Sequence, residues 1–195
     1  MKQIYALALA LMLTISTTSS QSKWKVDKSH TMINFSVAHM VISEVTGQFK
    51  DFDATLESSN DDFTNAKISV LIKAKSIDTG TPSRDNHLRS ADFFNADVDS
   101  NITFVSSKIE KTGNDTYKIH GILTMHGVAN EVVLDTKYKG KVKGMRGAVS
   151  AFKASASINR KDWGLTWNRT IESGGLVVGE NVDLTIFIEF VEANA

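Results

Sequence analysis

Cysteine is absent from this 195-residue chain. That excludes disulfides, cysteine-held zinc, thiolate-bound iron–sulfur clusters and every thiol mechanism. Proline occurs once against twelve glycines, so there is no proline-rich linker. Neither sign of charge is in excess, with 22 Lys plus Arg against 22 Asp plus Glu. The basic surplus by which general nucleic-acid binders hold phosphates is missing, so nucleic acid is not an expected partner. The chain also lacks a glycine-rich phosphate cradle and a Gly-x-Ser-x-Gly nucleophile elbow. What it has is 42% apolar and 23% charged residues, the balance of a soluble folded body of one-domain size.

The first segment reads as an address. Lys2 gives a positive start, Ile4 to Ile15 is an apolar run broken only by Thr14, and Ser16 to Ser22 is small and polar. This is the order of a secretory signal peptide, and its apolar core is too short to serve as a comfortable membrane span. The expectation is a signal peptide over residues 1–20, cleaved at about 20–22, and a single domain over 21–195. Loss of the leader removes one lysine and no acid, leaving an exported chain of net charge about −1.

Period two dominates the remainder. Ile33, Phe35 and Val37 alternate with polar neighbours, as do Ile68, Val70 and Ile72, and Ile102 with Phe104. Tyr117, Ile119, Gly121 and Leu123 form another set, and Val132, Leu134 and Tyr138 the next. The last two are Phe152, Ala154, Ala156 and Ile158, then Val182 through Phe190 at every second position. Side chains flip faces at each strand residue, so every set can line one surface of a sheet. With the stretch from Gly47 to Leu56 there are about eight strands, plus a short piece at Trp24 to Val26.

Turn signals separate them. Gly113-Asn114-Asp115 predicts a hairpin turn, Gly140 to Gly147 a basic glycine-rich loop, and Glu172 to Gly179 a glycine-rich connection. Helical periodicity is confined to Ser83 to Phe94, with a single turn over Asp61 to Asn65. Only a sandwich or a barrel buries so many strands without helices. A sandwich fills its core, whereas an eight-stranded barrel can hold one small ligand. The expected inner set contains small residues at Gly121, Ala148, Ser150, Ala154 and Ala156, which leaves room for a cavity.

The order of several motifs resembles the YceI-like family, the polyisoprenoid-binding proteins of the bacterial periplasm. They are Trp24-Lys25-Val26-Asp27, His30-Thr31, Val45-Thr46-Gly47-Gln48-Phe49 and Ser76-Ile77-Asp78-Thr79-Gly80. Arg84 through Phe94, Ile102-Thr103-Phe104, Gly121 through Val128 and Arg160-Lys161-Asp162-Trp163-Gly164-Leu165 continue the series. The chain departs from the family habit at Asp99-Ser100 and Asn130-Glu131, where a proline is common. The resemblance implies an all-β, extended eight-stranded antiparallel lipocalin-like barrel with a short helical lid and an apolar central pore. It implies a long isoprenoid, an isoprenoid quinone, a polyprenyl phosphate or a related aliphatic lipid as ligand. Location in the periplasm, transient membrane contact and a homodimer are further expectations.

The expected ligand-binding set follows. Phe35, Phe104, Leu123, Phe152, Ala154, Ala156 and Ile186 would line the pore, the alanines where the lipid passes. Arg84, Asp85 and His87 would form a polar mouth, with Phe93 and Phe94 closing it. Arg84 or His87 could meet a phosphate or quinone head. The same residues could instead be a structural network that caps the lid onto the body. The five histidines have neither helical nor strand metal spacing, so no metal and no cofactor is expected. With no thiol and no assembled nucleophile, the expected role is non-enzymatic lipid binding or transport. The alternative is a structural or protein-interaction barrel without a lipid ligand.

Overall fold

The computed structural model describes residues 22–145, 147–171 and 174–193. The expected signal peptide, residues 1–20, lies outside the described residues, as does Arg146. The elements are β1 (Ser22–Val26), β2 (Met32–His39), β3 (Ser43–Phe49), β4 (Phe52–Ser58), β5 (Lys67–Lys73), β6 (Ile77–Asp78) and α1 (Pro82–Arg89). They continue as β7 (Asn101–Lys111), β8 (Thr116–Met125), β9 (Val128–Gly144), β10 (Gly147–Asn159) and β11 (Val178–Glu192).

The pairings close into an all-antiparallel barrel. The order β1-β4-β5-β7-β8-β9-β10-β11 returns to β1 through Trp24↔Glu192, Lys25↔Val191 and Val26↔Phe190. That ring has eight positions, the number read from the alternation. Three positions are split lengthwise, each between two strands: β1 with β2, β3 with β4, and β5 with β6. The beginning of β11 pairs with β2, which pairs with β3, which pairs with β6. The stretch expected as one strand from Gly47 to Leu56 is therefore the end of β3 and the start of β4, interrupted at Lys50-Asp51. The interruption lets one position bend around the barrel.

Strand ends follow local chemistry. His126 and Gly127 both have positive φ, 49° and 71°, and join β8 to β9 by a two-residue hairpin closed by Met125↔Val128. Positive φ at both central residues is what the twist of a tight hairpin requires. The one proline occupies the start of α1, where a missing N–H costs nothing. The expected loop at Gly140 to Gly147 is instead mostly strand: β9 runs through Gly144 and β10 resumes at Gly147. Glycine there marks a register shift opposite Ala151/Phe152, with Gly140 at φ 126°. A bulge with a left-handed glycine bends a strand without ending it.

The expected inward sets do face inward. Two clusters result. The larger joins Ile33, Phe49, Ile72, Ile77, Ile102 and Leu123 beneath α1. The smaller joins Trp24, Leu56, Phe63 and Phe190 at the opposite end. Two inner glycines serve as seats for aromatic rings. A Cβ at Gly47 would lie 2.4 Å from the Phe35 ring, and one at Gly121 would lie 2.5 Å from Phe104. Gly121 thus does not leave free space, as its smallness suggested; Phe104 occupies it.

Gly121→Ala is accordingly expected to lower stability by about 1–3 kcal/mol, the usual cost of overpacking. The added Cβ meets both the ring and the Val105 carbonyl oxygen at 2.5 Å. Adding Phe104→Leu should restore part of the loss. Thermal melts of the single and double variants check it; an unchanged single variant would show that Phe104 is not seated on this residue.

Candidate functional site

Side chains inside the barrel leave two apolar cavities. The outer one, about 180 Å³, lies beneath α1. Ile33, Phe35 and Val37 of β2, Leu123 and Met125 of β8, and Val182 and Leu184 of β11 form much of its wall. The inner one, about 70 Å³, is walled by Leu56, Ile68, Ile119, Ala154 and Phe190 among others. Val70, Phe104, Leu134, Ile186 and Ile188 border both, so the two are successive chambers along one axis with these five side chains as the waist. No polar atom is exposed on either wall. Apolar cavities of about 150 Å³ stay dry and accept apolar guests, because water gains no partners there.

The floor is aromatic. Phe63 packs 6.2 Å from Trp24, 5.5 Å from Tyr138 and 5.2 Å from Phe152, ring centre to ring centre. Its backbone has φ 57°, a left-handed conformation that a bulky residue adopts only when its surroundings hold it there. Ser58 Oγ donates to the Asn60 carbonyl, and Asp62 accepts from the Thr64 N–H and hydroxyl, which fixes the loop.

The opposite rim is polar and built around α1. Asp85, 6% exposed, accepts from the Thr79 N–H at 2.8 Å and the Thr79 hydroxyl at 2.6 Å. Arg84 donates to the Thr79 hydroxyl and carbonyl and to Thr81 Oγ1. Arg89 donates to the carbonyls of Lys75 and Ile77. Helix and strand end are thereby tied together by charge-assisted bonds, which are stronger than neutral ones. His87 lies 2.9 Å from an Asp92 carboxylate oxygen. Its ring stands edge-on to Phe93 and Trp167 at 5.1 and 4.7 Å.

Arg160 is the charged residue that borders the outer chamber. It is 3% exposed, yet its guanidinium turns away from the cavity and donates to the carbonyls of Gly179, Leu165 and Val178. Burial pulls its pKa down from the usual arginine value, with Glu180 acting in the opposite sense. Its stem lines the chamber while its head clamps the start of β11 to the segment after β10. Trp163 completes that clamp by donating from Nε1 to the Leu123 carbonyl at 3.0 Å.

The structure brings together most of the residues expected to line a pore. Phe35, Phe93, Phe94 and Leu123 border the outer chamber, Phe152 and Ala154 the inner, and Phe104 and Ile186 both. Ala156 shares the inward face of β10 and pairs with Leu184, but borders neither chamber. Arg84, Asp85 and His87 also lie off the cavity walls, and the first two have their polar groups engaged with Thr79 and Thr81. Among the described residues no group of three or more His, Asp or Glu could hold a metal ion. His126 instead bonds through Nδ1 to the Trp163 carbonyl at 3.0 Å. The residue that sequence reasoning missed is Phe63. Its signal was a lone aromatic inside the polar run Asp61-Asp62-Phe63-Thr64-Asn65.

An antiparallel barrel of eight positions, with a short helix over one end and an apolar interior, defines the lipocalin-like class. Residues 24–190 match the YceI-like domain, and the chain belongs to that family. A UPF0312 protein of Staphylococcus epidermidis is 36% identical over 171 residues, 87% of this chain and 97% of its own length. The crystal structure of the Campylobacter jejuni YCEI protein is 33% identical, superposes with a TM-score of 0.69, and is aligned over 81% of this chain and 90% of that one. A polyisoprenoid binding domain from Saccharophagus degradans shares the fold at 16% identity, with a TM-score of 0.65 over 87% of this chain and 98% of that one.

Asp85→Ala should cost about 1–3 kcal/mol, because the part-buried Thr79 donors then lose their acceptor. Arg84→Ala should cost less, since the Thr79 carbonyl and Thr81 hydroxyl it leaves can find water. Urea unfolding of the two variants measures the difference. The reverse order would place the anchoring of α1 on the arginine instead.

Proposed function

We propose that the protein is a non-catalytic carrier or binder of a long-chain apolar lipid, an isoprenoid or an isoprenoid quinone in particular. The observation that supports this reading most directly is the pair of aligned chambers with wholly apolar walls. Such walls reward each CH₂ taken from water by roughly 0.8 kcal/mol, less the cost of ordering the chain. They offer no donor or acceptor to a head group. The head therefore belongs outside, at the rim, where His87 and Asp92 are partly exposed. On this reading Arg84 and Asp85 hold the rim in shape, and His87 is the polar group nearest an emerging head. The fold shared with a polyisoprenoid binding domain points the same way. The apolar leader at Ile4 to Ile15 supports action in the periplasm, where an aliphatic chain needs shielding from water.

Native mass spectrometry of gently purified protein, together with titration of a fluorescent prenyl probe, tests the proposal. The expected result is one bound chain per barrel. Leu184→Trp, which projects a larger ring into the outer chamber, should abolish uptake while keeping the melting temperature nearly unchanged. A wild-type protein that is ligand-free and also refuses prenyl and acyl probes would defeat the reading.

A further inference from the structure

The inner chamber has a waist above it and a floor below it, and both are built with some care. Phe104 projects into the waist from a seat that only glycine at 121 allows. The floor is Phe63, carried on a loop whose backbone is held in a left-handed conformation at that residue. Phe63 is 4% exposed and wedged among Trp24, Tyr138 and Phe152. Lys141 ties the same loop to β9 through Asp61 at 3.2 Å and also lies over the Trp24 ring at 5.4 Å. A polar loop that takes up backbone strain in order to drive one ring into a barrel end does so for that ring's position.

Resting on the proposed lipid-binding function, we propose that the inner chamber receives the terminal segment of the bound chain and that Phe63 is the stop that sets its maximum length. Val182 beside the outer chamber and Phe190 at the floor are eight residues apart on β11. That is about 27 Å along a strand, and roughly 20 Å down the axis at the usual tilt of barrel strands. A chain that reaches the floor has no further apolar surface to cover. Additional carbons must buckle in the chambers or stay in water at the rim. Affinity should therefore rise with chain length, reach a limit and then stop rising. The fixed depth distinguishes among chains that methylene contacts alone barely separate.

The test is a series of unbranched fatty alcohols and linear prenyl alcohols of increasing length, titrated against three proteins. In the wild type the affinity is expected to level off at a definite length. Phe63→Ala should move that limit to longer chains, with affinity for the first chain beyond the wild-type limit raised about tenfold, the equivalent of two further buried methylenes. Ala154→Phe, which fills the inner chamber from β10, should move the limit to shorter chains. A second measurement does not depend on variants that fold. A long-chain alcohol with a diazirine at its far end, photolysed on wild-type protein, should label peptides containing Phe63, Tyr138 or Phe152. Labelling confined to Leu88 and Phe93 at the rim, or an identical limit in all three proteins, would overturn the length stop while leaving lipid binding intact. A wild type that binds no chain of any length would remove both.

Discussion

Everything inside this protein depends on closure of the sheet by its shortest full partner. β1 is five residues long and meets β11 at three positions, yet those pairs convert a curved sheet into a ring. Once closed, the ring fixes the distance across the interior, and inward side chains must fill that space or leave it empty. In an open sheet the two faces would approach until they packed. Here backbone hydrogen bonds around the circumference hold the walls apart. The cavities persist because the walls cannot collapse, even though their lining is the kind of surface that the hydrophobic effect would otherwise bring together. Trp24, 3% exposed and packed against Phe63, locks the short strand to the floor, so closure and floor reinforce each other.

The polar residues obey one rule, which is to satisfy backbone groups at the rim and to stay off the interior wall. Arg84, Arg89 and Arg160 each donate to carbonyls of segments that end or bend near α1. These carbonyls lie at strand ends or just beyond them, and leaving such groups unpaired in partial burial is costly. Arginine suits the task because its planar fork reaches several acceptors at once. The same engagement explains why none of these cations presents its charge to the chambers.

Alternation made most of the architecture legible. The inward sets on β7 to β11 could be read because each long strand has one buried face, and a one-residue error would have turned its whole set outward. The broken position at Lys50-Asp51 left only a slip of phase in the sequence, where the inward set passes from Phe49 to Phe52, Ala54 and Leu56 in a step of three, and the reading of one strand over Gly47 to Leu56 passed over it. The strands through Gly140 to Gly147 were hidden by glycine and lysine, residues that mark loops in most contexts but here form a bulged extension whose outer face is solvated. Within the site, Phe35, Leu123 and Ile186 followed from period alone. Gly121 and Ala156 show where period falls short, because a small residue on the inner face can equally seat a neighbour's ring or pack against the partner strand. Phe63 was out of reach for a different reason. Its burial arises from tertiary contacts to Trp24, Tyr138 and Phe152, which lie far away in sequence, while its own neighbours are polar.

The two ends of the barrel are unequal, and the inequality gives the channel a direction. At the floor, a passing chain would have to displace Phe63 against three aromatic neighbours and the hydrogen bonds of its loop. At the rim, α1 has Asp85 as its one fully buried residue and is held by a handful of hydrogen bonds around Thr79. Exchange at the α1 end would shift Leu88, Phe93 and Phe94, which border the outer chamber, and leave the wedged Phe63 in place. A chain that enters and leaves by one end must withdraw its whole buried length before it is free. Each methylene in the interior then slows release by roughly fourfold, the rate equivalent of its transfer energy. A tail that fills both chambers would leave slowly into water and far faster into another apolar medium presented at the rim. Retention in transit and release on contact with an apolar acceptor would thus come from the same feature, a blind apolar channel with a single polar edge.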